Sequence, residues 1–434
     1  MQGSLFSAVT GLRNHQIRMD VIGNNIANVN TTAFKAGRAS FEESFSQVLQ
    51  GATRPGANVG GSNSLEVGLG TQLGSIDTIF TQGNLETTGV GTDLAIQGNS
   101  FFVVNKSGQN LYTRAGNFQV DANGSLVASN GGIVQGRMAT NGVLTGSLTN
   151  IVIPPNLTTP AKATTSGSVQ GNLDSSAPTI TAADTANPTA AELADPANAQ
   201  SVMQTTVGVY DSVGNKHDLT LVAWKTGPST WDFKIDPTGL NYDNTKPSNF
   251  GPGHFTFDAN GALDLGNSTL PTISFTPQGT GAALSIKIDP GAGGAGLTSF
   301  NGATTAVLRN QDGYAAGVLQ RTSIGKDGTI TGAFSNGTTQ TLGQIALADF
   351  NNPQGLETTG DNMYVVSANS GPAVVGYSGR ETVSTIASGA LEMSNVDLAQ
   401  QFTDMIITQR GFQANGKMIT TSDQMLQDLV NMVR

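Results

Sequence analysis

Apolar residues recur every seven positions at both ends of this 434-residue chain, and every two positions through much of what lies between. Leu398, Met405, Phe412, Ile419, Leu426 and Val433 form one such row. This is the seam spacing of a helix that packs lengthwise against other helices. At about 1.5 Å per residue, a helix over residues 394–434 spans roughly 60 Å. The rows beside the seam are Phe402, Gln409, Gly416 and Asp423 on one side, and Thr408, Asn415, Ser422 and Leu429 on the other. They are mostly small or polar, so the helix carries half a seam and needs partners to complete it. Near the N-terminus Leu5, Leu12, Met19 and Ile26 repeat the spacing, and Ala8, His15, Ile22 and Val29 fill the second seam position, with His15 a polar lapse. Two readings fit: an antiparallel helix pair within a monomer, or termini that pair into an assembly core.

The first helix is expected to end near Ile26, where Asn24, Asn25, Asn28, Asn30, Thr31 and Thr32 accumulate, because Asn and Thr compete with helical hydrogen bonds. A short apolar stretch follows over residues 34–49, with helical spacing at Phe41, Phe45 and Leu49. Residues 51–74 are rich in Gly, Ser and Asn and read as a long loop. From Thr71 onward the period is two. Phe101 to Val104 and Leu111 to Thr113 predict one hairpin, and Phe118 to Val120 and Ser125 to Val127 another, turning at Asp121-Ala122-Asn123-Gly124. After Pro154-Pro155 a Pro-, Ala- and Thr-rich stretch to Gln200 reads as a poorly patterned surface insertion. Strand patterning resumes at residues 202–210 and 219–224, with further candidates at 231–235, 254–257, 273–275 and 284–288. It returns at 317–323, 328–334, 341–347 and 363–366.

An internal echo bears on topology. Gln82-Gly83-Asn84-Leu85-Glu86-Thr87-Thr88-Gly89 resembles Pro353-Gln354-Gly355-Leu356-Glu357-Thr358-Thr359-Gly360, and each copy precedes an apolar strand. Copies flanking the middle block suggest that residues before 150 and after 300 build one domain. The fold expected is multidomain and mainly β with long terminal α-helices. The N- and C-terminal helices pair as a coiled-coil-like core, and two antiparallel β domains are nested between them. The domains expected are 1–30 with 394–434 as the terminal helical core and 31–80 with 380–393 as a connecting loop region. Residues 81–150 with 300–379 form an inner β domain, and 151–299 an inserted outer β domain.

Composition narrows function. Charged residues make up 12%, about half the usual ~25%. The net charge of -10 argues against nucleic acid. Cysteine is absent, which excludes disulfides, thiolate metal sites and a cysteine nucleophile. No apolar run is long enough to span a membrane, so no membrane insertion is expected. Charged residues break up the first stretch, so export without a cleaved signal peptide is the expectation.

Candidate chemistry dissolves on inspection. Gly291 to Gly296 matches G-x-G-x-x-G, but its strand ends in Pro290 and no helix is expected after it to receive a pyrophosphate. Gly411 to Met418 nearly spells a P-loop, yet Met418 replaces the Mg²⁺-binding hydroxyl, and the stretch lies inside the heptad helix. His15, His217 and His254 lack ligand spacing. No nucleophile, base and orienter assemble, so neither enzyme activity nor a cofactor or metal is expected.

Three stretches together resemble the rod and hook axial proteins of the bacterial flagellum. The first is Ser7 to Leu12 and Met19 to Asn28, with Phe34-Lys35; the second is Gln82 to Phe102; the third is Gly389 to Leu398, continued by Met405-Ile406 and Gln409 to Asn415. Within that family, the length and the inserted block are similar to hook members; a distal-rod-type member with an enlarged outer domain is the alternative. The resemblance implies a structural subunit that self-assembles into an extracellular helical tube, joining rod to filament as a flexible joint and enclosing the export channel. Its implied partners are further copies of itself, the distal rod, hook cap and hook–filament junction proteins, and the flagellar type III export apparatus. The cysteine cross-link of some relatives is excluded here. The self-assembly core expected comprises Leu5, Leu12, Met19, Ile22, Ile26, Leu398, Met405, Phe412, Ile419, Leu426 and Val433. Gln409, Asn415 and Ser422 are expected to face a channel or neighbouring subunits. Gly411 and Gly416 each weaken the helix by about 1 kcal/mol relative to Ala, so the ends are expected to order only when packed.

Overall fold

The computed structural model describes residues 2–55, 60–291, 296–379 and 381–432. The chain divides into two compact units, one of residues 1–155, 321–332 and 339–434, the other of residues 156–320 and 333–338.

In the first unit, helices Gln2–Ala27 and Leu398–Met432 lie side by side. The stretch read as a helix over residues 34–49 is instead two strands, Gly37–Glu43 and Ser46–Gln50. They pair antiparallel with Thr71–Thr78, where the period-two pattern begins, and with Leu65–Gly68, inside the stretch read as loop. The four-residue spacing of Phe41, Phe45 and Leu49 lost to pairing with segments further along the chain, as Phe41 with Leu73 and Val48 with Glu66, which no local pattern announces. The predicted hairpins do form: Phe101–Lys106 pairs with Gln109–Thr113, and Gln119–Val120 with Leu126–Val127. Strand Ile133–Thr140 joins Phe101–Lys106 to Thr339–Asp349, so early and late segments share one sheet. One core cluster is Phe101, Val103, Tyr112, Ala348, Phe350, Leu356 and Tyr364. Edge-to-face rings hold it together, with Tyr112–Phe350 at 4.9 Å and Phe101–Phe350 at 5.5 Å.

The two echo segments adopt like local structure with different partners. Leu85–Thr87 pairs with Ala390–Glu392, and Glu357–Gly360 with Met363–Val365.

In the second unit, Val202–Tyr210, Lys216–Lys225, Thr230–Asp236 and Gly253–Thr256 form a four-stranded antiparallel sheet. The second sheet is mixed, a departure from the antiparallel expectation: Ser166–Asn172 pairs parallel with Leu284–Asp289 and with Leu297–Thr298. The intervening chain is far longer than the crossover that a parallel pairing requires. Ser166–Asn172 lies in the stretch read as a surface insertion, where the only large apolar residue of the strand, fully buried Val169, gave little signal. Both sheets feed one core. Trp231, Phe233 and Ile235 alternate inward from one strand, Leu284, Ile286 and Ile288 from another.

One turn closes hairpins in both units. Asp121 Oδ1 accepts hydrogen bonds from the backbone of Asn123 at 2.9 Å and Ser125 at 2.7 Å. Asp258 Oδ1 does the same for Asn260 and Ala262, each at 2.8 Å. Gly124 (φ 84°) and Gly261 (φ 73°) supply the left-handed residue such a turn requires. Of the G-x-G-x-x-G stretch, residues 292–295 lie outside the described residues; strand Leu297–Thr298, not a helix, follows it.

Phe233 stacks on Phe255 at 4.4 Å with both rings fully buried. Phe233→Ala is expected to destabilise the second unit by about 3–5 kcal/mol, read as a lowered urea midpoint in the tryptophan fluorescence of Trp224 and Trp231.

Candidate assembly surface

The helices meet in antiparallel register. Asn25 Nδ2 donates to Gln401 Oε1 at 3.1 Å, and Arg18 pairs with Asp404 at 3.2 Å. Two glycines act as sockets. A Cβ on Gly411 would lie 2.6 Å from the His15 ring, and one on Gly11 would lie 2.6 Å from the Asn415 amide. Each helix thus presents a glycine to a polar side chain of the other. On the N-terminal helix the contact rows are Ala8, His15 and Ile22 with Gly11, Arg18 and Asn25; on the C-terminal helix they are Gln401, Thr408, Asn415 and Ser422 with Asp404 and Gly411. These positions alternate by three and four residues, as a two-helix seam does.

The seam is therefore the small and polar row, not the apolar one. Thr408 and Ser422 are the buried residues of the C-terminal helix. Asn415 packs on Gly11, and Gln409 is exposed. Of the three polar residues expected to face a channel or neighbours, Asn415 and Ser422 instead lie in the intrachain seam. Small side chains let the two backbones approach, which an apolar row of Met and Phe would prevent.

The apolar rows lie one position round from the seam on both helices. In an antiparallel pair, those positions fall on the same flank. Leu5, Leu12, Met19 and Ile26 run beside Leu398, Met405, Phe412, Ile419 and Leu426 as one stripe. Only Ile22, which sits in the seam, is fully buried among the predicted core residues. Leu5, Leu12, Met19, Ile26, Met405 and Ile419 are half-buried; Leu398, Phe412 and Leu426 remain 39%, 41% and 38% exposed. Val433 lies outside the described residues. The opposite flank of the N-terminal helix is covered by the strand pair: Asn14 Nδ2 donates to Thr71 Oγ1 at 2.8 Å, and Gly70 presses on Ser7 and Thr10.

The roots of both helices are tied to the β domain by buried charge, which sequence reasoning missed. Glu392 Oε1 accepts from Lys35 Nζ at 2.6 Å and from the Gly83 backbone at 2.9 Å, and Oε2 from Arg114 Nη1 at 3.4 Å. All three side chains are buried. Lys35 also donates to the Thr81 carbonyl at 2.8 Å, and Arg114 to the Gly98 carbonyl at 2.6 Å, with its guanidinium 5.2 Å from the Phe101 ring centre. Burial lowers the proton affinity of both bases, and Glu392 opposes that shift. Nearby Tyr364 is pushed up to about 12 by burial. Around the trio, amide side chains stitch backbone. Asn25 and the Gly37 backbone exchange hydrogen bonds at 2.8 and 2.9 Å. Asn395 Oδ1 accepts from the Ala36 backbone, and Nδ2 donates to the Ile79 carbonyl, both at 2.8 Å. The available signal was the placement of Lys35, Gly83 and Glu392 in the three separate motifs, one charge or anchor in each.

The histidines are accounted for individually. His15 fills the Gly411 socket, and burial, helped by Arg18, lowers the proton affinity of its ring. His217 Nε2 pairs with Asp211 Oδ2 at 3.1 Å. Burial works to raise Asp211, yet hydrogen bonds from His217, Asn215 and Val213 outweigh it and hold the carboxyl at about 2. His254 Nε2 lies 2.9 Å from the Asn267 carbonyl. The P-loop-like stretch is continuous helix.

Residues 5–35 match the family described as Flagella basal body rod protein, and 95–171 the Flagellar hook protein FlgE/F/G D1 domain. Residues 172–314 match the Flagellar basal body protein FlaE D2 domain, and 387–432 the Flagellar basal body rod FlgEFG protein C-terminal family. The chain is 41% identical to the flagellar hook protein FlgE of Treponema pallidum and 42% identical to that of Borreliella burgdorferi, covering 100% of each chain. The crystal structure of Helicobacter pylori flagellar hook protein FlgE2 shares the fold, with a TM-score of 0.51 at 18% identity, covering 71% of this chain and 100% of that one.

Glu392→Gln would leave Lys35 and Arg114 buried without a counter-charge. The full chain is expected to lose about 3–5 kcal/mol of stability, measured by urea titration. Gly411→Ala offers a second check, because helix propensity alone favours Ala by about 1 kcal/mol. Hydrogen exchange is expected to show the helix pair opening more readily, not less. Adding His15→Ala is expected to recover about 0.5–3 kcal/mol of that loss as a coupling term.

Proposed function

From the premise that this chain belongs to the flagellar hook protein FlgE family, we propose how its parts serve a hook. It is a structural subunit of the flagellum and not an enzyme. In our reading, many copies assemble into a helical tube that couples rod to filament as a flexible joint and encloses the export channel. The terminal helices form a coiled-coil-like core, with the β domains nested between them along the chain. The apolar stripe is the observation that supports this best. Leu5, Leu12, Met19, Ile26, Leu398, Met405, Phe412, Ile419 and Leu426 share one flank, half-exposed, where neighbouring subunits complete the burial begun within each chain. Of the polar residues, Gln409 keeps its role on the open face, whereas Asn415 and Ser422 set the pairing of the two helices.

Export without a cleaved signal, through the flagellar type III apparatus, fits ends that are weakly held until copies pack. An exposed stripe and glycine sockets in the seam both point to helices that separate easily. No helix of the described residues is long and apolar enough to cross a membrane. The distal rod, hook cap and hook–filament junction proteins are the partners proposed at the ends of the tube, and an extracellular place follows from the same reading. The alternative, a distal-rod-type protein with an enlarged outer domain, has less support: full-length identity of 41–42% runs to hook proteins.

Phe412→Asp places a charge in the middle of the stripe without touching the seam. It is expected to abolish tube formation by electron microscopy while leaving the β-sheet circular dichroism of the subunit unchanged. Normal curved tubes from this variant would remove the stripe from the assembly face. Straight rods inside the outer ring from the unmodified chain would favour the alternative.

A further inference from the structure

The antiparallel register leaves the end of the C-terminal helix without a helical neighbour among the described residues. Gly11 faces Asn415 and His15 faces Gly411, and continuing that register sets Ser422 opposite Ser4. Met425 to Met432 therefore runs past the start of the N-terminal helix for about 12 Å. This overhang is fully helical, and Met425, Leu429 and Met432 line one side of it, with Leu426 and Val430 on another; all five are exposed. Asp423 and Asp428 are exposed beside them.

A matching surface lies at the start of the N-terminal helix. Phe6, Val9 and Arg13 are spaced i, i+3, i+7 and so share one face. Phe6 is 66% exposed and Val9 52%, and Arg13 is exposed as well. This face points away from the seam residues Ala8, Gly11 and His15 and from Ser7, Thr10 and Asn14, which meet the strand pair. The overhang cannot reach it within one chain, since the register sets Phe6 opposite residue 420, about 12 Å along the axis from the middle of the overhang.

We propose that the occupant of the overhang is a second copy of this chain, which seats Phe6, Val9 and Arg13 on the apolar side of Met425 to Met432. Arg13 then falls within about one helical turn of Asp428 whether the helices run parallel or antiparallel. Because the two surfaces differ, the contact is heterologous, and a heterologous contact that does not close on itself propagates into a helical polymer. The inference rests on the hook-subunit reading and specifies which ends meet.

The chain has no cysteine, so single-cysteine variants report the contact directly. Val9→Cys subunits are mixed with Leu429→Cys subunits, polymerised and oxidised. The expected result is a cross-linked dimer in the mixture and in neither variant alone. Normal tubes without that dimer would overturn the proposal and leave the hook reading intact. A dimer from Val9→Cys alone would overturn it in favour of a like-to-like contact. Failure of the unmodified chain to form tubes would count against the hook reading itself. If a cysteine variant blocks assembly, the charge pair decides: Arg13→Asp and Asp428→Arg are each expected to slow assembly about tenfold, and the double variant to recover most of it. A double variant no faster than either single one would sink the proposal.

Discussion

Everything at the root of the two helices depends on the carboxylate of Glu392. It sits six residues before the C-terminal helix, and Lys35 eight residues after the N-terminal one, with Arg114 reaching in from the β-sheet. Three buried charges in an apolar setting are tolerable only together, since removing any partner strands the others away from water. The trio does more than hold two segments. Its backbone contacts at Thr81, Gly83 and Gly98 recruit the segment between the strand pair and the sheet. Four separate parts of the chain must therefore arrive before any of these charges is satisfied. Such an arrangement is a poor source of net stability and a strong source of uniqueness, because no neighbouring register of Ala390–Glu392 would present the carboxylate to both cations.

That fixed root explains why the helix seam above it tolerates so little apolar contact. A two-helix pair normally sets register by its hydrophobic row. Here the register is set from below, by the trio and by Asn25 and Asn395, and along the pair by two glycine sockets. The hydrophobic rows are thereby released from the intrachain seam and displayed on one flank. Polar contacts choose the geometry; apolar surface supplies the drive for association.

Much of this was legible in the sequence. The heptad spacing located both helices, and alternation located both predicted hairpins. It also located the second-unit strands that carry Trp231, Phe233, Ile286 and Ile288, where each inward residue is large. What failed shares a cause. Gly37–Glu43 and Ser166–Asn172 are strands whose partners lie far along the chain, and Ser166–Asn172 has a single large apolar residue to reveal it. The heptad row lies beside the intrachain seam and stays partly exposed. A seven-residue repeat states that a face is apolar, not that the nearest helix covers it. The clue lay in Gly11 and Gly411, which read as weak points of a helix and turned out to be the positions where the other helix comes closest.

The same division explains why Thr408, Asn415 and Ser422 are better placed in the seam than on an open face. Buried hydroxyls and amides bind weakly to one another in net terms, since water offers them equivalent bonds when the helices part. A pair joined through such a row separates at low free-energy cost, yet returns to one register because the Asn25–Gln401 and Arg18–Asp404 contacts and the two glycine sockets fit in one alignment. An apolar seam would reverse both properties, holding tightly and sliding readily between equivalent positions. For a subunit that, as proposed, passes through a channel unfolded and then docks in a single orientation, weak and specific pairing within the chain suits the first step, and the exposed stripe suits the second.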